Sequence, residues 1–93
     1  VKVVTSALFE EDLKTLLDRI GDPAEAKRFK LYLDTVLLNL PTKAEKYKPS
    51  RFFDDENIRD IVHQGLVVPF YFDEKNRTCV VLGIIDNYGE SAG

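Results

Sequence analysis

The junction IGDPAE at residues 20–25 limits the fold of this chain more than any other stretch. Before it, Phe9, Leu13, Leu16, Leu17 and Ile20 recur at the three- and four-residue spacing of one helical stripe. After it, Ala26, Phe29, Leu33, Val36, Leu37 and Leu40 make a second stripe. Gly21 can close the first helix, because glycine takes the left-handed backbone of a carboxyl cap without strain. Asp22 caps the second helix, Pro23 sits where a missing N–H costs nothing, and Glu25 completes a capping-box pattern. With so short a link, the two helices are predicted to form an antiparallel αα-hairpin. Pro41 is expected to end the second helix.

VKVVT reads as a strand before the hairpin, and Thr5 or Ser6 can cap the helix that follows. Glu10, Glu11 and Asp12 suit the positive amino end of that helix. Residues 42–57 read as a polar loop containing Pro49, with Tyr47, Phe52 and Phe53 as its apolar anchors. Three strand candidates follow: IRDIVH, LVVPFYF and TCVVLGIID. Gly65 marks the first reversal and DEKNR the second. The run CVVLGII predicts a strand covered on both faces, or nearly so. Pro69 has no N–H for a ladder, so its strand is expected at an edge or bulged there. An antiparallel sheet with the hairpin on one face would bury both stripes, which makes this an α+β domain.

A chain of 93 residues, 44% of them hydrophobic, fits one small core. We expect a single domain over 1–88, with 89–93 a tail, flexible or a cloning remnant. No run approaches the ~20 apolar residues that span a membrane, and no leader pattern is visible. The single cysteine, Cys79, excludes an internal disulfide or thiolate cluster and reads as a small buried residue. With one histidine besides, no metal or other cofactor is expected, and a reducing cytoplasm fits. The net charge of -3 argues against nonspecific nucleic-acid binding. Lys43, Lys46, Lys48 and Arg51 nevertheless cluster against Glu45 alone, just before Asp54, Asp55 and Glu56. Two readings stand: solvated surface, or a local anion-binding rim.

The second helix has more apolar surface than one stripe needs. At about 100° per residue, Leu31 and Leu38 point nearly opposite to Leu33 and Leu37. Either sheet and first helix wrap this helix on two sides, or a partner protein covers its back. His63 has the unperturbed pKa of a general base, but at a strand end it reads more simply as a structural residue. Arg59 is expected to pair with an acid such as Asp60 or Asp73, or with a partner's carboxylate.

The order of the pieces resembles the RelE/ParE toxin superfamily of bacterial type II toxin–antitoxin pairs. VKVVTSALFEEDLKTLLDRI is similar to its opening strand and helix, including Ala7 and Asp12-Leu13. AEAKRFKLYLDTVLLNLP is similar to its second helix, and NIRDIV, LVVPFYFDE and CVVLGII to its strand series, with Arg59 and Tyr71 at marked positions. The resemblance implies a cytoplasmic toxin neutralised by a cognate antitoxin, of the kind that stabilises plasmids. RelE-like members cut mRNA on the ribosome, using strand lysines and arginines and a terminal tyrosine or histidine. ParE-like members lack that activity and usually target DNA gyrase.

Carried over position by position, the nuclease pattern is thin. Arg59 matches, but Ile61 and Val68 stand where cations are expected, and Asp86 and Asn87 replace a terminal arginine. Tyr88 comes early for the terminal tyrosine. Losing those cations forfeits the electrostatic stabilisation on which phosphate cleavage depends. The expected function is therefore ParE-like, by protein contact, with Leu31, Leu38, Arg59 and Tyr71 as partner-binding residues. One alternative is a ribosome-dependent nuclease using Arg59, His63, Tyr88 and the lysines of KAEKYK. The other is a non-toxic relative that only binds its antitoxin.

Overall fold

A computed structural model describes residues 2–63 and 65–86. In chain order the elements are β1 (Lys2–Thr5), α1 (Ala7–Ile20), α2 (Pro23–Lys43), a 3-10 turn (Ala44–Lys46), β2 (Ile58–His63), β3 (Leu66–Asp73), β4 (Thr78–Val81) and β5 (Ile85–Asp86). Ser6 rather than Thr5 caps α1: its hydroxyl accepts from the Phe9 amide at 3.0 Å. Thr5 instead donates to the Glu10 carboxylate at 2.7 Å. Gly21 closes the helix at φ +76°, and Asp22 accepts from the Ala24 amide at 3.0 Å to start the next.

Pro41 does not end α2, which runs on to Lys43 and into the 3-10 turn. The expectation rested on the lost hydrogen bond and ring clash of an internal proline. Here Leu40 and Ala44, one turn apart on the same face, are both buried in the core and hold the last turn in place.

The strands form one sheet in the order β1-β4-β3-β2, with the short β5 also pairing with β3. The three later strands run antiparallel as expected, but β1 joins β4 in parallel. No turn links β1 to β4, so nothing local imposes hairpin geometry on that pair. The core fills the space between the helices and one face of the sheet: Phe9 and Leu13 from α1, Leu33 and Leu40 from α2, and Ile61, Val68, Phe70, Phe72, Cys79 and Val81 from the strands. This is an α+β fold with the hairpin on one sheet face.

Pro69 corrects a second expectation, because β3 is an interior strand and pairs on both sides. The register explains how the proline is tolerated. Phe70 faces Val81 while Val67 faces Ile85, so residues 68 and 69 span what takes 82, 83 and 84 on the opposite side. The bulge thus lies on the partner strand and splits the expected strand 78–86 into β4 and β5. The Pro69 carbonyl accepts from the Leu82 amide at 2.9 Å. The reciprocal bond, which proline cannot make, is replaced: the Leu82 carbonyl accepts from the Ser6 hydroxyl at 2.8 Å. Asp12 holds the same bulge by accepting from the Ile84 amide at 3.0 Å. Gly83 leaves room for this contact, since a Cβ there would meet the Asp12 carboxylate at 3.1 Å.

The run CVVLGII is less enclosed than expected, with Cys79 and Val81 buried but Val80 only half-buried. Residues 42–57 are also more ordered than a plain polar loop. After the 3-10 turn, residues 48–50 run antiparallel beside β2: the Ser50 amide donates to Ile58 and the Asp60 amide to Lys48, at 2.7 and 3.2 Å.

Candidate functional site

Arg59, Ile61 and His63 share one face of β2, and the register sets them opposite Phe70, Val68 and Leu66. That face lies under the hairpin. Ile61 and Val68, the positions where a nuclease of the resembling kind would carry cations, are buried in the core. Any charge there would have to be desolvated without a partner.

Among the described residues, Arg59 does not pair with Asp60, Asp73 or any other acid. Its Nη1 donates to the Tyr47 carbonyl at 2.6 Å and the Glu45 carbonyl at 3.4 Å, which ties the end of the 3-10 turn to the sheet. Its Nε is buried with no hydrogen-bond partner among the described residues. The Tyr47 ring in turn packs edge-on against Phe70, centroids 5.6 Å apart. Burial, and secondarily the neighbouring Tyr32, raise the Tyr47 phenol above its ordinary pKa. Burial also raises the Cys79 thiol, with Arg77 opposing weakly, so the thiol is held in its unreactive protonated form.

His63 stacks on Tyr32 of α2, with ring centroids 4.2 Å apart and planes 7° from parallel. The pair lines an open cavity of about 480 Å³ with Ile20, Glu25, Arg28 and Phe29. The lysines of the basic loop are elsewhere. Lys46, Lys48 and Arg51 line a separate cavity of about 470 Å³ with Asp60 and Val62. The loop cations and the imidazole therefore face different hollows; His63 shares its own with Arg28 and Glu25, and Arg59 lines neither.

Tyr71 is half-buried between Ile58 and Val80, on the sheet face away from the core. Asp86 is bonded to Arg19 of α1 at 3.0 Å. Asn87 and Tyr88 lie outside the described residues. Leu31 and Leu38 are 57% and 80% exposed, so the other elements do not wrap the back of α2. Leu38 also borders an open groove of about 370 Å³ with Val3, Thr5, Asp34, Leu37 and Pro41, between α2 and the β1 edge.

Three groups that shape these surfaces were not foreseen in the sequence. The spacing of Tyr32 from Phe29 places both on one helix side, but nothing local announces His63 as its neighbour. Asp60 was expected only as a candidate partner of Arg59; it is instead 7% exposed and accepts from the Arg51 amide. Asp12 reads as a helix-start acid and proves to be a clamp on a distant bulge. Among the described residues, no group of three or more His, Cys, Asp and Glu side chains is placed to hold a metal. Nor, among the described residues, is any helix long and apolar enough to cross a membrane.

Comparison with known proteins fits this geometry. A family model described as the ParE toxin of type II toxin–antitoxin system, parDE, matches residues 3–87. The crystal structure of a metal-bound toxin from Helicobacter pylori is similar in fold, with a TM-score of 0.67 and 22% identity over 96% of this chain and 97% of that one. The solution structure of a conserved hypothetical protein from Helicobacter pylori gives a TM-score of 0.62 and 22% identity over 95% and 96%. No curated protein matches the chain.

Proposed function

This chain belongs to the ParE toxin family of type II toxin–antitoxin systems, and from that premise we propose that it acts by gripping a protein target, DNA gyrase, under the control of a cognate antitoxin. Membership makes it a toxin; the target and the mode of action are our reading.

One observation carries the choice of protein contact over RNA cleavage. The strand positions that would need cations to steady a breaking phosphate are packed beneath the hairpin as Ile61 and Val68. Arg59 directs its guanidinium at two carbonyl oxygens, and the basic loop faces a cavity that His63 does not enter. The His63 cavity holds a single arginine, Arg28, beside the carboxylate of Glu25, and so small a cationic complement forgoes much of what is usually the largest contribution to such catalysis. The exposed leucines of α2 and its groove beside β1 offer apolar surface for an amphipathic antitoxin segment.

The test is a pair of assays on the purified chain. In a supercoiling assay, gyrase is inhibited at near-stoichiometric toxin and recovers when antitoxin is added. In a translating extract, mapped mRNA ends show no codon-linked cuts. Cuts inside the ribosomal A site would replace this reading with the nuclease one. Inertness in both assays, with no growth arrest on induction, would leave a relative that only binds its antitoxin.

A further inference from the structure

The cavity beside the 3-10 turn combines features that the gyrase reading does not use. Lys46, Lys48 and Arg51 stand on its rim, all exposed, in a chain whose net charge is -3. The acids that follow in sequence, Asp54, Asp55 and Glu56, do not line it. Asp60 does line it, and is nearly fully buried. Its Oδ2 accepts from the Arg51 amide at 2.9 Å, while its Oδ1 has no hydrogen-bond partner among the described residues.

The outer edge of β2 supplies a further feature. The Ile58 carbonyl and the Asp60 amide point outward to residues 48–50, so alternate residues of β2 present their backbone groups to that edge. Val62 is next in this series, and no described residue continues the pairing because the chain opposite it has already turned into the 3-10 segment. Its side chain is 68% exposed and lines the same cavity. The hollow therefore offers cations, an open donor and acceptor on a strand edge, an apolar contact and a buried carboxylate oxygen in want of a donor.

We propose that this edge-and-cavity site binds an extended acidic segment of a partner protein, which adds one short pairing to β2 at Val62 while its carboxylates meet Lys46, Lys48 and Arg51. Charge complementarity alone would also admit a nucleic acid. A phosphodiester backbone, however, has no N–H to give the Val62 carbonyl or Asp60, and a peptide backbone has one at every residue. Strand addition with side-chain selection at alternate positions is a mode that suits so short an open edge. The proposal rests on the reading that the chain works through protein contact, and it assigns that contact to a place distinct from α2.

The experiment uses the full chain and fluorescence anisotropy with three labelled probes of equal length: an alternating glutamate–valine peptide, an alternating lysine–valine peptide and a single-stranded RNA. The acidic peptide is expected to bind at least tenfold tighter than either, with affinity falling as salt rises. Lys46→Glu with Lys48→Glu and Arg51→Glu should weaken it at least tenfold. Val62→Pro removes the outward N–H, while Val62→Thr keeps it and controls for the changed side chain; the proline variant alone should weaken binding several-fold. Circular dichroism and the urea midpoint check that the variants fold; Lys48→Gln with Arg51→Gln serves if the reversal does not. RNA binding as tight as the peptide, no peptide binding in low salt, or indifference to the rim and edge substitutions would each overturn the proposal. Peptide binding without gyrase inhibition would instead overturn the gyrase reading and leave this site standing. Gyrase inhibition without peptide binding would do the reverse.

Discussion

Arg59 occupies a family position and makes structural contacts there. Its guanidinium ties the carbonyls of Tyr47 and Glu45 to the sheet, so its contribution is to hold a turn. Charged donors to carbonyls contribute about 1.5–3 kcal/mol each in such settings. Arg59→Met keeps the apolar stem and removes the donors, and should lower unfolding stability by about 1.5–3 kcal/mol in urea titration. The proposed gyrase inhibition, measured per folded molecule, should not change; a selective loss of activity at full stability would give Arg59 a direct functional role. Cys79 makes a pH prediction. Burial raises its thiol pKa in the folded chain, so above the usual thiol value of about 8.5 the unfolded state ionises while the folded state keeps its proton. The unfolded state then binds fewer protons, and stability falls as pH rises through that range, with the full contribution present below it. Urea midpoints at neutral and alkaline pH should show the decline, and Cys79→Ala should flatten it.

At the scale of elements, α1 and the bulge between β4 and β5 are joined by a substitution of donors. Ser6 gives the Leu82 carbonyl the hydrogen bond that Pro69 cannot. A double-mutant cycle tests this. Ser6→Ala should cost about 1–2 kcal/mol, through the lost cap and the orphaned carbonyl. In a Pro69→Ala background the new amide can serve Leu82, so Ser6→Ala should then cost less, with a coupling of at least about 0.5 kcal/mol. Strict additivity would show that the Leu82 carbonyl does not mediate the link. For α2, the proposed antitoxin contact predicts that Leu31→Asp with Leu38→Asp leaves the isolated toxin folded, since both side chains already face solvent. The same pair should weaken antitoxin binding at least tenfold by calorimetry. Unchanged affinity would remove that face from the interface.

At the scale of the whole molecule, family membership implies an antitoxin partner, and mass action gives that partnership a measurable consequence. A ligand that binds only the folded state stabilises it by about 2.7 kcal/mol at a hundred times its Kd. Excess antitoxin should therefore raise the thermal midpoint in a concentration-dependent way. The two proposed surfaces, the back of α2 and the cavity beside β2, are built from different elements. Substitutions on one are expected to add to those on the other without coupling, because distant sites with no shared partners are normally independent.

The hairpin, its caps and the strand positions were legible in the residues because each depends on local periodicity and on backbone chemistry within a few positions. Gly21, Asp22 and Pro23 act on their own neighbours, so their roles are written where they stand. The errors fall where a distant group intervenes. Pro41 stays helical because Leu40 and Ala44 are anchored in the core, and Pro69 sits in an interior strand because Ser6 and a bulge across the ladder relieve it. The site followed the same rule: Arg59, Ile61 and His63 read as lying along one strand, but which face the helices cover is a matter of packing. Local propensity is a property of the chain, whereas the partner of a buried carbonyl or the neighbour of an imidazole is fixed only when the layers close.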